Sequence, residues 1–249
     1  LLPLMGGGGK EAGGEAGQRA ADEADQAQSQ IQHPKSPIRL AIAQDEAFSF
    51  YYEDNLDLLQ QLGAELVPWS PIRDRSLPPD TQGLYLGGGF PEVFAAALTE
   101  NSSARKSVQA AIQAGMPTYA ECGGLMYLSE QIVDFAGQVY PMVGIFPTSA
   151  RMGQRLTLGY RQATALRASP FMQVGDRVWG HEFHRSSLTP LPDHPLLALQ
   201  GYRSDLQFPP EGWQRYQAHA TYTHLHFGTQ RQLAERFLHK CHPKGGAGA

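Results

Sequence analysis

The sequence has few cysteines, no long apolar run and little net charge, and each shortage excludes a class of protein. Two cysteines among 249 residues, Cys122 and Cys241, cannot form the disulfide framework of a secreted domain, so a reducing, cytoplasmic setting is expected. No apolar run approaches the roughly 18 residues of a membrane helix, and the first residues lack the charged start of a signal peptide. The formal net charge of −4 provides no basic footprint for nucleic acid.

The composition predicts one folded domain between two unstructured ends. Residues 1–36 are rich in Gly, Ala, Glu and Gln and contain no aromatic residue, so they cannot bury enough apolar surface to offset the entropy of ordering. We therefore expect a disordered, low-complexity linker or tail at 1–36, one domain at 37–242 and a disordered tail at 243–249. Because the chain does not begin with Met, we also expect a fragment that lacks an N-terminal part.

Apolar runs and helical patterns alternate over the first half of the predicted domain. Such alternation is typical of a flavodoxin-like α/β fold, an open and mostly parallel sheet with helices on both faces. Later in the chain, β patterns separated by Pro and Gly predict antiparallel additions to this fold. The predicted strands are 37–43, 64–69, 83–86, 116–120, 138–143, 156–166, 177–183 and 185–188. One predicted helix follows the first strand, and three others span 91–98, 102–114 and 230–240. A further helix is predicted from the cysteine through Ile132.

Cys122 stands where a predicted strand becomes a predicted helix, in the stretch Tyr-Ala-Glu-Cys-Gly-Gly-Leu-Met-Tyr-Leu at 119–128. A sharp strand-to-helix turn presents the side chain at the junction to the mouth of the fold, as in a nucleophile elbow. The first free N–H groups of the helix favour a thiolate, so we expect a lowered pKa for Cys122. The alternative is a buried structural cysteine, which is also the expectation for Cys241.

The triplet Gly87-Gly88-Gly89 follows directly after the predicted strand at 83–86. Open α/β sheets bind ligands at the carboxyl ends of their strands, where successive backbone N–H groups can hold an anion. Acyl transfer requires such donors for its oxyanion, and the candidates are Gly88, Gly89 and Gly123. A flexible turn without a ligand is the alternative.

A nucleophilic thiol needs a base, and histidine is the usual base at neutral pH. Of nine histidines, His224 and His226 lie at the end of a late predicted strand, share one strand face and can approach Cys122 in a parallel sheet. Cysteine, histidine and glycines together predict attack on a carboxamide or ester through a thioester. No metal site is expected, because His181 and His184 are three residues apart and not four, as in zinc proteases.

Four stretches, in this order, carry a resemblance to a known family. They are Gly-Gly-Gly-Phe-Pro-Glu at 87–92, the cysteine stretch at 119–128, Gly-His-Glu-Phe-His at 180–184 and Tyr-Thr-His-Leu-His-Phe at 222–227. Together with the aromatic run at 48–52, they resemble the class I glutamine amidotransferase domain of cobyrinate a,c-diamide synthases, over residues 38 to about 240.

The resemblance implies a carbon–nitrogen ligase that uses glutamine as amido donor. Cys122 would form a glutamyl thioester and release ammonia, with His224 as the histidine that raises its nucleophilicity and His226 as the fallback. Ammonia would pass to a synthetase domain, where ATP and Mg²⁺ activate the a- and c-carboxylates of cobyrinate, a corrinoid of cobalamin biosynthesis. In the family that domain is N-terminal, and nothing in this sequence resembles it, so no cofactor is expected in this chain. A homodimer is left open.

One residue of the catalytic set has no clear candidate. Many related amidotransferases have Glu two residues after the histidine, where this chain has His226, and Glu182 is offered only as a guess. Alternative interpretations are the amidotransferase domain of cobyric acid synthase or of a cell-wall amidating complex. A free-standing cysteine hydrolase and a non-catalytic interaction module of the same fold are also open.

Overall fold

The protein is described by a computed structural model over residues 37–203 and 206–242. The predicted disordered segments at 1–36 and 243–249 lie outside these residues, so the proposed domain boundaries stay predictions.

Strands and helices alternate up to the cysteine. The strands are β1 (Ile38–Ala43), β2 (Phe48–Phe50), β3 (Ala64–Trp69), β4 (Gly83–Leu86), β5 (Gly88–Gly89) and β6 (Thr118–Glu121). The helices are α1 (Glu53–Gln61), α2 (Ala95–Glu100), α3 (Ser102–Gln113) and α4 (Gly123–Leu128). The predicted strands at 37–43, 64–69 and 83–86 and the helix at 102–114 are thus confirmed to within one residue at each end.

The later part of the chain is mostly β structure. Its strands are β7 (Ser129–Val133), β8 (Val139–Pro141), β9 (Phe146–Ala165), β10 (Arg177–Thr189), β11 (Leu197–Gln200), β12 (Gln207–Glu211), β13 (Trp213–Arg215), β14 (Ala218–Thr221) and β15 (His224–Leu225). A 3₁₀ turn (Phe227–Thr229) and helix α5 (Arg231–Cys241) complete the described chain.

The central sheet has the strand order β13-β14-β6-β4-β1-β3 among the described residues. All of its pairings are parallel except the one between β13 and β14. Because alternate residues of a strand face opposite sides, each strand contributes to two cores. Ala41 and Ala43 pack on the side of α3 and α4, whereas Leu40 and Ile42 pack on the side of α1 and α5. The predicted parallel sheet with helices on both faces is therefore confirmed.

A second sheet supplies the antiparallel additions. The long strands β9 and β10 pair with each other, β9 also pairs with β11 and β7, and β15 pairs with β10. His181 is opposite His224 in the β10–β15 pair, so this sheet approaches the carboxyl edge of the central sheet.

The predicted helix through Ile132 is wrong, because α4 ends at Leu128 and Ile132 belongs to β7. The Ser129 hydroxyl oxygen lies 2.6 Å from the backbone carbonyl oxygen of Met126 and 3.0 Å from that of Gln131, so its one hydrogen can be donated to either. This local bonding competes with a continued helix, and pairing with β8 and β9 then fixes the extended conformation. Within the described ranges, no helix is long and apolar enough to cross a bilayer.

Candidate active site

Cys122 occupies the sharp turn between β6 and α4. Its backbone has φ of 45° and ψ of −95°, a strained conformation for a residue other than glycine. Its N–H donates to the carbonyl of Thr221 at 2.7 Å, so β14 holds the turn in place. The strained backbone, the strand before it and the helix after it have the geometry of a nucleophile elbow.

The expected lowering of the thiol pKa is wrong. Burial raises the pKa of Cys122 to about 12, and the carboxylates of Glu92 and Glu121 add to the rise. The Gly123 N–H acts in the opposite direction but does not outweigh burial. Helix α4 has only six residues, so the thiol gains little from its dipole. The resting nucleophile is therefore a neutral thiol that must lose a proton in order to react.

Two of the glycines predicted as oxyanion donors lie beside the elbow. A Cβ built on Gly123 would lie 3.1 Å from the amide nitrogen of Gly89, so these two residues are in contact. Gly89 has φ of 153° and lines the same cavity as Cys122. The N–H of Gly123 interacts favourably with the ionised sulfur, as expected for a donor next to developing negative charge.

The third glycine, Gly88, lies against His224. A Cβ on Gly88 would be 2.4 Å from Cε1 of the His224 ring, closer than any ordinary contact. The imidazole therefore packs directly against the backbone of Gly88, and it is buried, with a relative exposure of 3%. Phe50 contacts the ring edge-on with centroids 4.8 Å apart, and His181 stacks on it at 5.2 Å.

A cavity of about 660 Å³ brings these groups together. Cys122, Gly89 and His224 contribute to one mostly apolar lining, with Glu92 and Arg185 as its charged members. Its remaining lining residues are Ser49, Phe50, Phe90, Met126, Phe135, Met152, Leu156, His181, Phe183, His184 and Ser186. Its volume is within the usual range for a small-molecule site.

The aromatic run at 48–52 divides between the core and the site. Phe48 is fully buried in the core, whereas Phe50 lines the cavity. The Tyr51 hydroxyl donates to the Ala43 carbonyl and accepts from the N–H of Gly87 at 3.0 Å, so it fixes the start of the glycine triplet.

His226, the second candidate for the catalytic histidine, does not line the cavity that contains Cys122. Nε2 of His226 is 3.5 Å from Oδ2 of Asp54, and the side chain lines a separate depression with Tyr52 and Trp179. β15 ends at Leu225, and the shared strand face expected for His224 and His226 stays a prediction.

Two carboxylates have roles that sequence patterns did not reveal. The Oε2 atom of Glu182 accepts from Nε of Arg161 at 2.6 Å, and its Oε1 lies 3.5 Å from Nε2 of His184. The carboxylate next to His224 is Glu121, with Oε2 3.5 Å from Nδ1. Sequence reasoning missed Glu121, although it directly precedes Cys122. Among the residues with described placement, no cluster of His, Cys, Asp and Glu fits a metal ion.

The fold is that of class I glutamine amidotransferases. A solved structure described as a glutamine amidotransferase superposes with a TM-score of 0.56 at 16% sequence identity, over 81% of this chain and 98% of that chain. Residues 39–232 match the family described as the CobB/CobQ-like glutamine amidotransferase domain. The chain belongs to this family.

The chain is also similar to curated proteins. It is 57% identical over 207 residues to a cobyrinate a,c-diamide synthase of Synechococcus, which covers 83% of this chain and 45% of that protein. It is 48% identical over 208 residues to the protein of the same name from Synechocystis, covering 83% and 43%. The chain thus spans less than half the length of these two relatives.

Proposed function

We propose that this chain is the glutaminase part of an ATP-dependent, glutamine-hydrolysing cobyrinate a,c-diamide synthase. The observation that carries the proposal is a cysteine on a strained strand-to-helix turn, in one cavity with a buried histidine, in a chain of this family. The names of the Synechococcus and Synechocystis relatives favour this enzyme over cobyric acid synthase or a cell-wall amidating complex.

The reaction begins with attack of the Cys122 sulfur on the side-chain amide carbon of glutamine. His224 takes the thiol proton as the sulfur–carbon bond forms, which the raised pKa of the thiol makes necessary. The carbonyl oxygen becomes an oxyanion, and the N–H groups of Gly89 and Gly123 stabilise it, with Gly88 as the weaker candidate.

Collapse of the tetrahedral intermediate breaks the carbon–nitrogen bond. His224 returns its proton to the departing nitrogen, so ammonia leaves and a glutamyl thioester remains on Cys122. Water, deprotonated by the same histidine, then attacks the thioester carbon and releases glutamate. The thiol regains its proton and the site is ready for another turnover.

The ammonia is consumed in a second reaction, which the residues of this domain do not carry out. We propose that it passes to a synthetase portion corresponding to the remaining length of the relatives, where ATP and Mg²⁺ activate the a- and c-carboxylates of a corrinoid. The chemistry that ATP supplies there is activation of a carboxylate. We also propose a cytoplasmic location, where a reducing environment keeps Cys122 a thiol. A homodimer stays a prediction, which a molar-mass measurement in solution tests.

The proposal is tested by a glutamine analogue with a diazoketone in place of the side-chain amide. We expect one adduct per chain on Cys122, located by peptide mass mapping and suppressed by excess glutamine. Cys241 is an internal control, because it is also buried and has a pKa raised by burial to about 12. Equal labelling of both cysteines, or labelling that glutamine does not suppress, would contradict a glutamine site at Cys122 and favour a cysteine hydrolase or a non-catalytic module.

A further inference from the structure

The carboxylate that precedes the cysteine is held by several donors. Glu121 is fully buried, and its Oε1 accepts from the backbone N–H of Leu225 at 3.0 Å and from the Tyr119 hydroxyl. Its Oε2 accepts from the Tyr85 hydroxyl at 3.2 Å. A carboxylate has about four acceptor sites, so these three donors fix its orientation and leave one site free.

This carboxylate is next to His224. Nδ1 of His224 is buried and has no hydrogen-bond partner among the described residues, and Oε2 of Glu121 lies 3.5 Å from it, just beyond a hydrogen bond of good geometry. A buried N–H without a partner is costly, and catalytic hydrogen bonds are often long before substrate binds. We propose that Glu121 is the positioning residue that accepts a hydrogen bond from Nδ1–H of His224 and so leaves Nε2 free to take the thiol proton of Cys122.

The chain connectivity supports this assignment. Glu121 is bonded covalently to Cys122, and it also holds the backbone of Leu225, the residue after His224. One carboxylate thereby links the nucleophile to the strand that carries the base. Glu182, the other candidate, already accepts from Arg161 at 2.6 Å.

The surroundings of His224 give Glu121 a second effect. Among the titratable groups near the ring, Glu121 from β6 lies 3.5 Å from Nδ1, His181 from β10 stacks on the ring, and Cys122 lines the same cavity. The pKa of His181 is lowered, mainly by burial and secondly by the neighbouring His224, so His181 is uncharged at neutral pH. Glu121 is then the group that stabilises the imidazolium formed when Cys122 gives up its proton.

The first test measures the His224 tautomer in the full chain by ¹⁵N chemical shifts of labelled histidine, assigned with His224→Asn. Proton residence on Nδ1 supports the proposal, and residence on Nε2 overturns it. This measurement needs no variant of Glu121, and it does not depend on glutaminase activity. An inactive wild-type chain would therefore weaken the proposed function without deciding the role of Glu121, which the tautomer still decides.

The second test compares Glu121→Gln with Glu182→Gln, the same change at another buried carboxylate. In the first variant the amide oxygen would stay with the two donors on Oε1, so the amide NH₂ would face Nδ1 and favour the opposite tautomer. We expect kcat to fall at least about 100-fold, with KM within about threefold, while Glu182→Gln keeps kcat within about threefold. A folded Glu121→Gln protein with wild-type kcat would overturn the proposal, as would an equal loss in both variants.

Discussion

Replacing Gly88 by alanine tests whether the packing of the His224 imidazole against this glycine matters for activity. The new Cβ would lie 2.4 Å from Cε1, 3.3 Å from Nε2 and 3.4 Å from Nδ1 of the imidazole. Ordinary Cβ contacts begin at about 3.4 Å, so the ring must move by roughly 1 Å. Alanine keeps the backbone N–H, and therefore a loss of activity cannot be attributed to a missing oxyanion donor.

The expected loss follows from that displacement. A misplacement of about 1 Å in a catalytic group can cost on the order of 100-fold in rate, and overpacking costs about 1–3 kcal/mol of stability. We therefore expect Gly88→Ala to lower kcat for glutamate release about 100-fold while the protein stays folded. Steady-state kinetics and thermal unfolding measure the two effects separately.

The matched control is Gly153→Ala. Its new Cβ would meet only the carbonyl oxygen of Arg185, at an ordinary 3.5 Å, so we expect unchanged kinetics and stability. A folded Gly88→Ala protein with kcat within threefold of the wild type would refute the placement of the catalytic histidine against this glycine.

Three further predictions rest on buried groups. With a pKa of about 12, Cys122 in a Cys241→Ser background should react with iodoacetamide about tenfold faster per pH unit from pH 7 to 10, and a plateau near pH 7 would contradict the burial argument. Burial lowers the pKa of His219 to about 3 in the folded chain. Below about pH 6.5 the unfolded chain therefore binds a proton on His219 that the folded chain does not bind. Stability should then fall by about 2 kcal/mol from pH 6.5 to 5 in urea unfolding, and His219→Gln should remove most of this dependence. Arg161→Ala leaves Glu182 buried without its cation and should cost about 3–5 kcal/mol, whereas an unchanged unfolding midpoint would argue against the pair.

Much of the central sheet could be predicted from local sequence. β1 and β4 are short, mostly apolar runs bounded by Gly, Pro or polar residues, and parallel strands buried on both faces have this pattern. The elbow was also recognisable, because a strand, a cysteine and two glycines followed one another. By contrast, β12 could not be predicted, because it contains Pro209 and Pro210, and proline occurs in strands mainly at the edge of a sheet.

The electrostatics of the site depend on contacts between distant parts of the chain. Glu121 and Leu225 are 104 residues apart, so no local pattern predicts the hydrogen bond between them. The thiol pKa depends on burial, to which the second sheet contributes, since the sulfur of Cys122 lies 3.9 Å from the carbonyl oxygen of Phe183. Helix-dipole reasoning from sequence considered only the short α4 and therefore gave the wrong sign.

We propose that Cys122 and His224 together hydrolyse glutamine. The most direct test is glutamate release from glutamine by the purified chain, compared with Cys122→Ala and with a synthetase partner, ATP and corrinoid supplied if the chain alone is inactive. We expect activity in the wild type and its loss in the variant, with the thermal unfolding midpoint preserved. Equal glutamate release by both proteins would contradict the assignment of Cys122 as the nucleophile.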